Sequence, residues 1–200
     1  MNPVAIEHAK ARLEKAKRAV DILHRTAKLD EKESAWSDFL LASSGIYSKL
    51  EQGSKSKSSS AGWFGRKKSE RKNDPLLRYI HHARNSDEHG VEQITRADPG
   101  GFGINPADPT RPISMVINPE GVPRLPGEIR IHNLDPSNPL LVKRIEPSLK
   151  LVRVRDSRYG DSFDPPTSHF GQSVDGTSLV TVAELALRYL ENLIEDAEKL

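Results

Sequence analysis

The sequence predicts an α+β protein: a four-helix up-down bundle with a small antiparallel β-sheet inserted before the last helix. Three observations indicate this class. Twelve of the fourteen prolines lie between Pro99 and Pro166, and proline is excluded from helix interiors because it lacks an N–H and clashes with the preceding turn. Before and after this region, apolar residues recur at alternating steps of three and four, as in amphipathic helices. Within it, short runs rich in Val, Ile and Leu are separated by turn residues, which is typical of strands.

Composition narrows the class of protein further. The chain has 200 residues, 36% of them hydrophobic and 29% charged, which suits one domain carrying a sizeable insertion. It has no cysteine, which excludes disulfides, thiol catalysis and cysteine-ligated zinc. The formal net charge of +2 is too small to indicate a nucleic-acid partner by itself. Because no apolar stretch is long enough for a membrane span or a signal peptide, we expect a cytoplasmic protein without membrane contact.

The segment 1–52 predicts the first two helices. Asn2 can cap the first, with Pro3 at its first position. Its predicted inner face consists of Ile6, Ala9, Leu13, Ala16, Val20, Leu23 and Ala27. Asp30 and Glu33 have the spacing of a capping box and place the start of the second helix at Asp30. Its predicted inner face consists of Trp36, Phe39, Ser43, Ile46 and Leu50. A short connection predicts that the two helices pack antiparallel.

The segment 53–73 differs in kind, because it is rich in small polar residues and contains one acid, Glu70. This composition predicts a flexible linker. Its basic residues are Lys55, Lys57, Arg66, Lys67, Lys68, Arg71 and Lys72. Since Trp63 and Phe64 precede the densest basic run, the linker could bind RNA by phosphate contact and base stacking. A solvated loop is the equally weighted alternative.

The segment 74–97 predicts a third helix, with Asp74 as its cap, Pro75 at its first position and Gly90 as its C-terminal breaker. Its predicted buried side consists of Leu76, Leu77, Ile80 and Ala83. A polar stripe of His82, Asn85 and His89 faces the other way. This stripe is a candidate site, although a solvated helix face has the same pattern.

The segment 98–177 is the predicted β insertion, an antiparallel meander of three to five strands packed on the helices. The predicted strands are Ile113–Ile117, Glu128–His132, Leu140–Ile145 and Leu149–Arg155. The last of them changes phase at Leu151–Val152, which predicts a bulge. The final helix, within 178–200, begins near Ser178 or near Thr181, which has capping-box spacing to Glu184. Its predicted inner face consists of Val182, Ala186, Tyr189, Leu193 and Ala197.

Two amphipathic helices, a third ending in Arg84-Asn85-Ser86-Asp87-Glu88-His89, and a final helix together resemble the HEPN superfamily. Its signature is an arginine, usually followed by a polar residue such as Asn, with a histidine four to six residues further on. The resemblance covers the helical segments 1–52, 74–97 and 178–200. The basic linker and the inserted sheet lie outside it.

The resemblance implies a metal-independent endoribonuclease, in which the ribose 2′-OH attacks phosphorus and leaves a 2′,3′-cyclic phosphate. His89 would be the general acid or base, since imidazole exchanges a proton near neutrality. Arg84 would bind the phosphate, and Asn85 would position a phosphate oxygen or orient His89. The further candidates for substrate binding are His82, Arg78, Lys67, Lys68 and Arg71. No cofactor and no metal are implied.

The resemblance also implies partners. RNA is the implied substrate, and a homodimer is implied because family members usually dimerise with their motifs across a shared cleft. A role in defence or as a toxin would add a neutralising protein partner, which would be another chain since no nucleotidyltransferase Gly-Ser signature is present. Some members have lost activity and serve as interaction modules, so a non-catalytic binding module is the alternative.

Helix geometry constrains these roles. Arg84 and His89 lie about 140° apart around an ideal helix, so both reach one phosphate only across a dimer seam or at a distorted helix end. Asp87 and Glu88 place negative charge beside the motif, either to pair with the basic linker or to act on His89. A metal site drawn from these carboxylates, His81, His82 and His89 is a weaker alternative. His82 and His89 are about 10 Å apart along the helix, too far for one ion without another ligand.

The strands contribute one further cationic feature. Arg153, Arg155 and Arg158 form a predicted basic edge beside the insertion. This edge could extend RNA contact, and a solvated strand face is the favoured interpretation.

Overall fold

The computed structural model describes residues 1–91, 93–123, 125–126, 128–156 and 160–200. It confirms the α+β class: the described residues form five helices, with small two-stranded antiparallel sheets between the fourth and the fifth. The helices are α1 (Pro3–Arg25), α2 (Leu29–Ser54), α3 (Ser58–Asn73), α4 (Pro75–His89) and α5 (Leu179–Glu198). The strands are β1 (Thr95–Asp98), β2 (Gly101–Pro106), β3 (Met115–Ile117), β4 (Ile131–Asn133), β5 (Leu140–Ile145), β6 (Ser148–Leu151), β7 (Val154–Arg155), β8 (Ser162–Phe163), β9 (Ser168–His169) and β10 (Gln172–Ser173).

The first two helices pack antiparallel, as predicted. The Asn2 side chain accepts a hydrogen bond from the Val4 N–H at 2.9 Å and caps α1. Asn2 also donates its own N–H to the Gly53 carbonyl near the end of α2, at 3.3 Å. The predicted inner faces are buried, except that Ala27 is exposed beyond the end of α1.

The predicted capping box of the second helix is wrong. Helix α2 begins at Leu29, and its N-cap residue Lys28 makes no side-chain capping bond. Glu33, the expected partner within the box, accepts a hydrogen bond from the Thr95 hydroxyl at 2.7 Å instead. A long-range contact with β1 has therefore replaced the local one.

The segment predicted as a flexible linker is mostly helix α3, so that prediction is wrong. Trp63 and Phe64 are buried, and the Phe64 ring centroid lies 6.5 Å from that of Tyr47 on α2. On the same helix, Glu70 accepts a hydrogen bond from the Tyr189 hydroxyl of α5 at 3.0 Å. Packing of one amphipathic face can stabilise a helix whose composition is unfavourable. Trp63 and Phe64 are therefore core residues and not a stacking platform for bases.

Helices α4 and α5 follow their predicted caps. Asp74 accepts a hydrogen bond from the Leu77 N–H at 3.0 Å, and Gly90 donates its N–H to the Ser86 carbonyl at 2.8 Å. Ser178, one of the two predicted starts, caps α5 through the Thr181 N–H at 3.3 Å. The predicted inner face of α5 is buried.

The predicted single meander is wrong, because the strands form separate pairs. These pairs are β1–β6, β2–β5, β3–β4, β7–β8 and β9–β10, all antiparallel. The bounds of β5 agree with prediction, whereas β1 and β2 were not predicted. The predicted change of phase corresponds to the break at Val152–Arg153 between β6 and β7. Here the Val152 carbonyl accepts a hydrogen bond from the Tyr79 hydroxyl of α4 at 2.8 Å.

The chain divides into two compact units. The helical unit comprises Met1–Asp98 and Ser148–Leu200, and the lobe comprises Pro99–Pro147. The second half of the predicted insertion, 148–177, thus belongs to the helical unit, where Leu149, Leu151 and Val154 join the hydrophobic core. No helix among the described residues is long and apolar enough to cross a membrane.

Candidate functional site

A cleft of about 1140 Å³ opens in the helical unit between α3, α4 and the residues Arg155, Asp156, Asp161 and Phe163. We call it the α3–α4 cleft. Its lining residues are Lys68, Ser69, Arg71, Lys72, Arg78, His81, His82, Asn85, His89, Arg155, Asp156, Asp161 and Phe163. Six of the eight site residues predicted from sequence are among them: Lys68, Arg71, Arg78, His82, Asn85 and His89.

Helical periodicity explains why these residues share one surface. Arg78, His82, Asn85 and His89 follow one another at steps of four, three and four, which keeps them on one side of α4. Lys68 and Lys72 are four residues apart on α3 and are exposed, while Trp63 and Phe64 face the core. The structure thus brings two helix faces together across the cleft.

The imidazole of His82 is fixed by its neighbours. Its ring stacks on the Phe163 ring with the centroids 3.6 Å apart and the planes within 8°. Its Nδ1 lies 3.4 Å from Oδ2 of Asp156. Burial lowers the pKa of His82, and the nearby Asp156 carboxylate only partly opposes that effect. His82 is therefore mainly neutral at pH 7, and Asp156 favours the tautomer that carries its proton on Nδ1.

His81 lies beside it, with ring centroids 5.1 Å apart. Burial lowers the pKa of His81 to about 4, and the cationic Arg71 adds to that effect. His81 is thus neutral at physiological pH, and its ring forms part of the cleft wall.

Cationic side chains dominate the charge of the cleft. Five of them line it, Lys68, Lys72, Arg71, Arg78 and Arg155, against the two carboxylates Asp156 and Asp161. The Arg71 guanidinium lies 4.4 Å from the centroid of the Tyr47 ring, and that of Arg78 lies 5.8 Å from the Phe163 centroid. Lys68 pairs with Glu51 at 3.0 Å. A concave surface with excess positive charge concentrates anionic ligands.

Arg84 does not line the α3–α4 cleft. Its Nη2 lies 2.5 Å from Oε2 of Glu88, and its Nη1 donates to Oδ1 of Asn85 at 3.3 Å. Because α4 stays regular through His89, the angle of about 140° between positions 84 and 89 puts the two side chains on different surfaces. One copy of the chain therefore does not hold one phosphate between them.

Lys67 is also outside the cleft. Its Nζ lies 3.1 Å from Oε2 of Glu70 and 3.7 Å from Oδ2 of Asp196 on α5. This position follows from its place on the α3 face that packs toward α5. Lys67 is thus absent from the lining of the cleft, and its role in substrate binding stays a prediction.

The two acids of the motif bond within the helical unit and not to the predicted linker. Asp87 accepts a hydrogen bond from the Ser37 hydroxyl at 3.1 Å, and Glu88 pairs with Arg84. The same Glu88 oxygen lies 3.7 Å from Nε2 of His89, whose side chain is 67% exposed. His89 is thus accessible at the mouth of the cleft.

Sequence reasoning missed Asp156, Asp161 and Phe163 as cleft residues. They come from a segment far along the chain, which the Ser86 hydroxyl of α4 holds by donating to the Arg155 carbonyl at 2.8 Å. No local sequence pattern predicts this packing.

The predicted basic edge is only partly confirmed. Arg155 lines the cleft, whereas Arg153 pairs with Asp164 at 2.7 Å. Arg158, the third member, lies outside the described residues. Among the residues that the structure does describe, no three His, Asp or Glu side chains are arranged to hold a metal ion.

Comparisons with known proteins identify no relative of this chain. No protein-family model, no curated protein and no solved structure matches the chain. Its function is therefore inferred from the cleft and from the motif.

Proposed function

We propose that the protein is a metal-independent endoribonuclease of the HEPN type that binds RNA in the α3–α4 cleft. One observation carries the proposal: three imidazoles and an amide share this cleft with five cationic side chains. Imidazoles supply proton transfer near neutral pH, and cations bind the phosphodiester on which that transfer acts.

The cations would bind the RNA backbone. Lys72 and Arg155 make no ion pair among the described residues, and Arg78 offers its guanidinium beside the Phe163 ring. These three groups can therefore neutralise phosphates without giving up an existing partner. An arginine can also stabilise the extra negative charge that develops on the phosphorane oxygens during cleavage.

The imidazoles would transfer the protons. With Nδ1 directed at Asp156, Nε2 of neutral His82 is free to take the proton of the ribose 2′-OH. The 2′-oxygen then bonds to phosphorus, the bond from phosphorus to the 5′-oxygen breaks, and protonated His89 gives its proton to that leaving oxygen. His82 and His89 are about 10 Å apart along the helix axis. This separation leaves room for a phosphodiester over Asn85, which lies between them.

Arg84 would act only in a dimer. It faces away from the cleft of its own chain, so its contact with a scissile phosphate requires a second copy. A homodimer with two motifs across a shared cleft would supply that contact, in keeping with the HEPN resemblance. A role as a toxin or defence factor, neutralised by another chain, goes with this proposal.

The second candidate is a non-catalytic RNA-binding module. The Arg84–Glu88 pair favours it, because an arginine held by a neighbouring carboxylate at 2.5 Å is occupied in the isolated chain. This module would bind RNA through the same cations and would leave it intact.

The test is digestion of labelled RNA in EDTA, with analysis of the products for 2′,3′-cyclic phosphate ends. The variants are His82→Gln, His89→Gln and Arg84→Gln, and the matched control is His8→Gln, an exposed histidine on α1. We expect cleavage by the wild type and by the control. Loss of a general acid or base should lower the rate by about 100-fold or more in the two cleft histidine variants.

The possible outcomes separate the candidates. If the wild type binds RNA but does not cleave it, the protein is the non-catalytic RNA-binding module and not a ribonuclease. Equal cleavage by all variants would show that the site assignment is wrong. Loss of cleavage in His82→Gln and His89→Gln, with full activity in Arg84→Gln, would show that a single copy of the chain is sufficient for catalysis and that the mechanism needs no dimer.

A further inference from the structure

A second basic surface lies between the first two helices. This α1–α2 groove has a volume of about 740 Å³. Its cationic lining residues are Arg12, Lys15, Arg18, Lys49 and Arg84, and Asp38 is the one acid among its lining residues. The groove therefore has a larger excess of positive charge than the α3–α4 cleft, and the mechanism above gives a role only to Arg84 among its residues.

The cations of α1 fall into two groups. Three of them are paired: Lys10 with Glu198 and Lys17 with Glu191, both on α5, and Arg25 with Asp21 of α1 itself. In the groove, no ion pair among the described residues involves Arg12, Lys15 or Arg18. Unpaired cations are concentrated where the surface is concave, and that arrangement attracts an anionic ligand.

The shape of the groove suits a phosphate backbone. Arg12, Lys15 and Arg18 are three residues apart, so they extend over about 9 Å of α1, while the phosphates of a stacked strand advance by about 3.4 Å each. Gly45 of α2 forms part of the floor. A Cβ atom there would lie 3.2 Å from Cδ of Arg12, so the absence of a side chain at Gly45 lets the Arg12 side chain lie across α2.

A third, smaller space shares lining residues with both the groove and the α3–α4 cleft. Arg84 and Ser44 line both the groove and a narrow slot under α4, and Arg71 and His81 line both that slot and the cleft. A slot of about 20 Å³ therefore separates the two basic surfaces, and its lining includes the cations Arg71 and Arg84. Arg84 is absent from the lining of the cleft and lines the groove.

We propose that the α1–α2 groove binds the phosphates of single-stranded RNA that flank the segment held in the cleft. The proposal rests on RNA binding in the cleft and gives the protein an extended site for several nucleotides. Ile22 and Leu41 are exposed at the groove, 42% and 54% respectively, and supply apolar contact for sugars and bases.

The experiment measures binding of 2′-O-methyl RNA, which lacks the nucleophile and stays intact, by fluorescence anisotropy at several salt concentrations. One probe has about 20 nucleotides and the other about 3. The groove variant is Arg12→Gln, Lys15→Gln and Arg18→Gln together. The matched control is Lys10→Gln, Lys17→Gln and Arg25→Gln together, which removes the same charge from the same helix.

We expect the groove variant to bind the long probe at least ~10-fold more weakly, with a salt slope smaller by about 2, since each lost phosphate contact removes about 0.7. The short probe should bind the groove variant and the wild type equally. The control variant should bind both probes almost as the wild type does.

Several results would overturn the proposal. Equal weakening in both triple variants would show that only the net charge of the protein matters. Unchanged binding in the groove variant would show that the groove does not bind RNA. Weakening of both probes would indicate an effect on the cleft, and a change in sedimentation without a change in affinity would assign the groove to a second copy. The probe is not cleavable, so its binding can be measured whether or not the protein is a nuclease. If the groove variant binds the long probe more weakly but the wild type cleaves no RNA, RNA binding in the groove is supported and the proposed nuclease activity is rejected.

Discussion

The helical unit and the Pro99–Pro147 lobe use apolar residues in opposite ways. The hydrophobic core lies entirely in the helical unit, where Trp36, Phe39 and Leu76 are fully buried. The lobe instead exposes its large apolar side chains, among them Phe102, Leu125, Ile129, Leu141 and Val142. Its only buried residue among those described is Asn138.

The difference follows from how the two regions pair their elements. Helices with a three-four spacing of apolar residues can cover one another and remove a whole face from water. The ladders β2–β5 and β3–β4 have two strands each, and a two-stranded ladder by itself buries little apolar surface. Apolar content alone therefore does not make a core, and the hydrophobic core among the described residues lies in the helical unit.

Two paired strands of the helical unit lead into and out of the lobe. Strands β1 and β6 pair antiparallel up to Asp98 and Ser148, the residues that flank the lobe. The lobe is thus an insertion in the sequence between β1 and β6, two paired strands of the helical unit.

The largest expected effect contrasts one large side chain in each region. Trp36→Ala should lower the free energy of unfolding by about 3–5 kcal/mol, because it leaves a cavity among fully buried neighbours. Ile129→Ala, at a position 65% exposed, should change it by less than about 0.5 kcal/mol. Urea unfolding followed by circular dichroism measures both. Similar losses in the two variants would mean that the lobe is a cooperative part of the core.

A smaller effect concerns pH. The pKa of His81 is lowered to about 4 by burial, from a reference value of 6.5. A lowered pKa in the folded state means that stability is complete above pH 6.5 and falls as the pH decreases toward 4, since protonation favours the unfolded chain. His81→Gln should therefore flatten the loss of stability between these values.

The matched control for this pH effect is His132→Gln, at an exposed position on β4 in the lobe. Unfolding midpoints measured from pH 8 to pH 4 give both profiles. A loss of stability that stays as steep in His81→Gln as in the wild type would show that the transition depends on other groups.

The parts of the fold that the sequence predicted correctly are those that depend on local interactions. The caps Asn2, Asp74 and Ser178 act on backbone groups two or three residues away, so a short stretch of sequence contains the whole interaction. Helix α3 was missed because its amphipathic face depends on Trp63 and Phe64 among serines and lysines, and composition masked that face. Strand β1 was missed because its partner, β6, lies some fifty residues away along the chain.

The candidate site divides in the same way. The stripe of His82, Asn85 and His89 follows from the period of the helix, and the structure places all three in one cleft. The position of Arg84 also follows from the period of the helix, since its partner Glu88 lies four residues further on. The contact of Lys67 with Asp196 on α5 depends instead on how the helices pack.

The central claim is that the RNA site lies in the cleft of the helical unit, and short-RNA binding tests it most directly. Three arginine variants in the full chain lose the same charge: Arg78→Gln in the cleft, Arg66→Gln on the outer side of α3, and Arg144→Gln in the lobe. We predict that only Arg78→Gln weakens binding of a 2′-O-methyl RNA of about 3 nucleotides, by ~10-fold, the loss of one charge-assisted phosphate contact. Equal binding by all three variants, or weakening confined to Arg144→Gln, would contradict the account.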